Sequence, residues 1–140
     1  FESEGLTRAL QLRLNTVEAR AGIQYDLDVH GEELIPSPLD LELYRIATEA
    51  LNNALKHANA SQIKVALNMV ESEGACLLEV SDNGGGFNTD SRTPGGIGLD
   101  SMQERAARVG GKLYVSSTPG QGTLVRLTCP IHQVKKEGAA

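Results

Sequence analysis

Between Asp82 and Gly98 the chain reads Asp-Asn-Gly-Gly-Gly-Phe-Asn-Thr-Asp-Ser-Arg-Thr-Pro-Gly-Gly-Ile-Gly. So much glycine among short polar residues cannot hold a helix or strand throughout. Whatever this chain folds into must therefore carry a long irregular loop between two ordered blocks. Before the loop, Ile63, Val65, Leu67 and Met69 alternate with mostly polar neighbours, and a turn near Glu73-Gly74 leads to a second strand over Cys76 to Ser81. After it, Leu99, Met102, Ala106 and Val109 recur at helical spacing, which predicts a helix over 99–109 stopped by Gly110-Gly111. Leu113 to Ser116 and Thr123 to Cys129 then make a hairpin around Pro119-Gly120-Gln121-Gly122.

The N-terminal part adds a helix over 5–20, with Leu6, Leu10, Leu14 and Val17 on one side. A strand over 23–29 follows, with Ile23, Tyr25, Leu27 and Val29 on one face. After a loop over 31–38, Asp40 is the predicted N-cap of a long helix reaching Ala58. This order predicts an α+β fold: a two-layer sandwich with a mixed, mostly antiparallel sheet covered by helices on one face. A length of 140 residues suits one domain over 1–140, with its core in 5–130 and a tail in 131–140.

Composition narrows the function. A net charge of -5 argues against nucleic acid as a partner, because such proteins present a basic face. Cys76 and Cys129 sit within apolar strands and are read as buried free thiols, and no cluster with zinc-ligand spacing occurs. The sequon Asn59-Ala60-Ser61 is read as chance. There is no apolar run of the roughly 18 residues that a spanning helix needs. The chain starts at Phe1 without Met, the expected look of an excised cytoplasmic domain whose parent carries any membrane or sensor parts.

Four groups of residues carry the chemistry. Along the long helix, Leu43, Ala47, Ala50, Leu51, Ala54, Leu55 and Ala58 form an apolar stripe, and Glu49, Asn53 and His57 fall on a line beside it with Lys56 adjacent. A carboxylate, an amide, an imidazole and an ammonium in that arrangement suit Mg²⁺ and phosphate, but taken alone they suit an ordinary solvated helix edge better. In the second group, strand parity turns Asp82 toward the apolar layer with Cys76, Leu78 and Val80. A carboxylate there is costly without donors, which an adenine amine could supply. Glycines 84, 85 and 86 would let a flat ligand lie on bare backbone, although Asp-Asn-Gly is also ordinary turn chemistry.

The third group, Gly95-Gly96-Ile97-Gly98, enters the helix at Leu99 and offers free N–H groups to an anion. It is neither a Walker A loop nor a dinucleotide fingerprint. In the fourth, Gly122-Thr123, parity turns the threonine hydroxyl to the core face, where Asp82 or a water would serve as its partner; a plain hairpin turn explains the pair as well.

Taken in order, these segments resemble the GHKL superfamily of ATPases and kinases, with its Bergerat ATP-binding fold. Residues 49–58 match the N box, 82–87 the first glycine box, 96–99 the second, and Gly122-Thr123 the closing Gly-Thr. Within the superfamily, Glu-Ala-x-x-Asn-Ala-x-Lys-His-Ala and the Gly-Leu-x-x-Met-x-Glu-Arg of Gly98 to Arg105 most resemble histidine kinases that pair with NarL-type response regulators. The resemblance implies ATP as the nucleotide and Mg²⁺ as its ion. It implies that Asp82 accepts from the adenine amine, helped by Thr123 through a water, above Gly84 and Gly86. It implies Asn53 and Glu49 at the metal, Lys56 and His57 at phosphate oxygens, the amides of Gly96, Gly98 and Leu99 around the triphosphate, and 88–94 as a lid.

The catalytic set implied is thus Glu49, Asn53, Lys56 and His57, presenting the γ-phosphoryl to a histidine elsewhere. His30, His57 and His132 lack a phosphoacceptor signature, so that histidine is expected on a dimerisation domain outside this chain, in a parent that can be homodimeric. The alternatives are a GHKL hydrolase, an anti-sigma serine kinase domain, or a degenerate pocket kept for docking.

Overall fold

The computed structural model describes residues 5–31, 34–36, 39–54, 60–84, 99–118 and 120–131. Its elements run α1 (Gly5–Ala21), β1 (Gln24–His30), α2 (Leu39–Asn53), β2 (Gln62–Val70), a 3₁₀ turn (Glu71–Glu73), β3 (Ala75–Asp82), α3 (Leu99–Arg108), β4 (Lys112–Ser117) and β5 (Thr123–Pro130). The five strands form one sheet in the order β1-β2-β3-β5-β4. β1 lies parallel to β2, and every other pairing is antiparallel. The parallel pair requires a crossover, and α2 provides it.

The strands alternate as their sequences predict. Ile63, Val65, Leu67, Cys76, Leu78, Val80, Val125, Leu127 and Cys129 are buried on the inner face, where the helices lie. Their outer neighbours, Lys64, Ser116 and Thr128 among them, meet solvent. The fold is thus a two-layer sandwich with a mixed sheet covered on one side. Cys76 and Cys129 face each other across the β3–β5 ladder as free thiols, and burial pushes them up to about 12 and about 11 respectively.

α2 is the middle helix, packed on α1, α3 and β3. Its buried arc is wider than the predicted stripe, because it has neighbours on both sides as well as beneath: Leu39 and Ile46 join Leu43, Ala47, Ala50 and Leu51. Asp40 is not its N-cap. The helix already includes Leu39, the Asp40 N–H donates back to the Pro36 carbonyl, and the Asp40 carboxylate accepts from Leu41 N–H at 2.7 Å. Asp40 therefore serves in the first turn of the helix, where its charge suits the dipole. Residues 55–58, the predicted last turn, lie outside the described residues.

Arg13 of α1 donates to Asn52 Oδ1 at 2.6 Å, and Arg105 of α3 pairs with Glu42 at 3.3 Å, so polar contacts tie each flanking helix to α2. α3 ends as its glycines predict. Gly111 N–H donates to the Ala106 carbonyl and Gly110 N–H to the Ala107 carbonyl, the bond pair that closes a helix on a left-handed residue.

Candidate nucleotide site

β3 ends at Asp82 in the middle of the sheet, between β2 and β5. Opposite it stand Ile63 on β2 and Thr123 on β5. The carboxylate is half-buried on the inner face, as strand parity predicts. Burial raises its pKa above the ordinary 3.8, opposed by two main-chain donors, the Gly84 and Thr123 N–H groups. The Gly84 N–H lies 2.8 Å from Oδ1. A carboxylate has about four acceptor positions, so two donors leave room for a ligand's N–H. The net upward shift means that these donors do not fully offset desolvation, the condition under which a further donor is most favourable.

Gly122 holds the other side of this corner. Its φ is +90°, and a Cβ there would drive into the carbonyl oxygen of Asp82. The glycine of the Gly-Thr pair is therefore required by close approach of β5's start to the end of β3, in addition to its backbone conformation. The Thr123 hydroxyl lies 2.8 Å from the Ser117 hydroxyl on β4, a partner beyond the two expected from sequence, Asp82 or a water. β4 and β5 place those two residues opposite each other, both on the inner face. Ser117 was missed by sequence reasoning, and only the β4–β5 register could have revealed it.

Asn83 was also missed. Its side-chain Oδ1 accepts from the N–H groups of Ser61 at 2.9 Å and Gln62 at 3.0 Å, and its Nδ2 donates to Ser61 Oγ at 2.9 Å. Three contacts from one amide bind the chain after β3 to the start of β2.

On α2, Glu49 and Asn53 are half-buried and one turn apart, as the spacing predicts. The adjacent Asn52 accepts from Arg13, which separates the twin asparagines: Asn52 holds α1, and Asn53 lies on the Glu49 line. Among the described residues no group of three or more His, Cys, Asp or Glu side chains could hold a metal by itself. Lys56, His57, Gly86, Gly96, Gly98 and the lid over 88–94 lie outside the described residues, and Leu99 is described in its main chain only.

A cleft of about 280 Å³ opens at the same end of the sheet, with Asp82, Gly122 and Thr123 in its wall beside Ser81, Ser116 and Leu124. Parity puts Ser81, Ser116 and Leu124 of this cleft on the helix-free face, and its Asp82 and Thr123 on the inner one.

Comparison with known proteins gives the chain's family and its fold relatives. Residues 39–133 match the family described as histidine kinase-, DNA gyrase B- and HSP90-like ATPase. Over 136 residues the chain is 34% identical to sensor histidine kinase LiaS of Bacillus subtilis, covering 97% of this chain and 37% of that protein. It is 34% identical over 99 residues to sensor protein VraS of Staphylococcus epidermidis, covering 71% of this chain and 28% of that one. The chain thus spans well under half the length of the curated relatives it matches. In fold it is similar to a blue-light activated histidine kinase of Erythrobacter litoralis, with a TM-score of 0.74 and 24% identity over 94% of this chain and 43% of that one.

Proposed function

The chain belongs to the histidine kinase-, DNA gyrase B- and HSP90-like ATPase family, as a catalytic ATPase domain of the sensor histidine kinase type, and we propose that it binds ATP with Mg²⁺ and presents the γ-phosphoryl group to a histidine on another domain of its parent. The observation that carries this reading is the Asp82 carboxylate: half-buried on the inner face at the end of a central strand, raised by desolvation, and with acceptor capacity left after its two main-chain donors.

In this reading the adenine amine donates to Asp82, and Gly122 and Thr123 keep that corner closed. The Thr123 hydroxyl, paired with Ser117, can reach the base through a water. Glu49 and Asn53 supply hard oxygen donors from one line of α2. The described residues offer no complete cage of three or more metal-ligating side chains, which fits an ion held by one or two protein oxygens together with substrate phosphates. Magnesium, when bound, neutralises phosphate charge. Lys56 and His57 would contact phosphate oxygens. The main-chain N–H groups of Gly96, Gly98 and Leu99, at the start of α3, would hold the triphosphate, with Gly84 and Gly86 beneath the base. The chain's part in catalysis is positioning and charge compensation rather than covalent chemistry. The phosphoacceptor histidine would belong to a dimerisation domain of the parent. The Gly98 to Arg105 pattern supports a response regulator of the NarL type as the final acceptor.

The test supplies the domain with γ-labelled ATP and Mg²⁺, with and without the parent's dimerisation domain. Acid-labile label should appear on a histidine only when both are present, and Asn53→Ala should lose it while still binding adenosine. Phosphate released at the same rate without the acceptor, with no labelled histidine, would favour a hydrolase instead.

A further inference from the structure

The nucleotide reading makes no use of Asn83, yet its side chain is the most heavily bonded polar group at this corner. Beside the three side-chain contacts to Ser61 and Gln62, its own N–H donates to the Gln62 carbonyl at 3.3 Å. These bonds extend the β2–β3 ladder one step past its last pair, Ile63 with Asp82. Asn83 is also the middle residue of the turn in which Gly84 N–H reaches back to Asp82 Oδ1. The direction of the Gly84 N–H is set by the torsions of Asn83, and those torsions are held by its anchor on β2.

We propose that Asn83 is a positioning residue for purine recognition: by clamping the chain after β3 to Ser61 and Gln62, it holds the Gly84 N–H on Asp82 and so fixes which part of that carboxylate is presented to the base. The proposal rests on the nucleotide reading of Asp82. Turn preference alone does not explain this residue, because an aspartate suits the turn equally and cannot donate to Ser61 Oγ. Nor does stability of the fold, since Asn83 and Ser61 are exposed and such bonds exchange readily with water. What four bonds on one exposed residue supply is a fixed direction.

The experiment uses Asn83→Ala and Ser61→Ala, with two readings on each: adenosine affinity by calorimetry, and the titration of the Asp82 carboxyl by carbon NMR. In Asn83→Ala the Asp82 midpoint should move higher, as a donor to its charged form is released, and adenosine affinity should fall about tenfold. Ser61→Ala should move both the same way by less, about two- to threefold in affinity, and it decides the matter if Asn83→Ala does not fold. A lowered melting temperature with both readings unmoved would overturn the proposal. If the unaltered domain binds no adenosine, the nucleotide reading fails instead, and the Asp82 titration still shows whether the clamp sets the carboxylate.

Discussion

Asp82 and Thr123 stand directly opposite each other in the β3–β5 ladder, and the Thr123 N–H donates to the Asp82 carboxylate. The acid is thereby held from the strand beside it as well as from its own turn, where Gly84 donates. Two segments separated by 40 residues in sequence build one acceptor, and neither would aim it alone.

Gly122→Ala should be the most damaging small substitution at this corner. The residue has φ +90°, and its Cβ would strike the Asp82 carbonyl oxygen. Backbone strain and overpacking together predict a loss of about 2–4 kcal/mol in urea unfolding, with weaker nucleotide binding in whatever remains folded. Gly120→Ala is the control: φ is +84°, but nothing lies within 4 Å of the new methyl, so only about 1 kcal/mol should be lost. Equal losses in the two variants would show that the close approach to Asp82 has no energetic consequence.

The carboxylate should also give the domain a characteristic dependence on pH. An acid whose folded pKa lies above its unfolded value binds more protons folded than unfolded between the two, so its contribution to stability falls as pH rises through that window. For Asp82 the window opens near 3.8 and extends upward to the raised folded value. The stability of Asp82→Asn relative to the unaltered domain, without nucleotide, should therefore increase as pH rises through this window and then level off. Paired urea titrations from about pH 3.5 to 7 would measure it. A difference that is flat, or that falls with pH, would mean that the acid is already well satisfied.

Much of this was legible in sequence, and particular residues show why the rest was not. Period-two alternation placed Asp82 and Thr123 on the inner face correctly, because the buried partners on each strand leave no freedom of parity. The N-terminus of α2 lies ahead of the predicted cap at Asp40, because the Asp40 N–H already bonds to the Pro36 carbonyl, a main-chain pairing that residue type does not encode. Ile46, fully buried, lies outside the predicted stripe because a single helix shows one apolar face, whereas α2 is flanked by α1 and α3. The Ser117–Thr123 and Asn83–Ser61 contacts depend on cross-strand register, which is fixed only when the hairpins close. At the site, the types of residue were readable and their pairings were not.

In the proposed site a desolvated carboxylate at the end of β3 recognises a purine. Titrating adenosine by calorimetry into the unaltered domain and into Asp82→Asn tests it without metal or phosphates. Binding should weaken by about 1.5–3 kcal/mol, a fall of about 10- to 150-fold in affinity, the range for a hydrogen bond to a charged group. Equal affinity in the two proteins would contradict the assignment of Asp82.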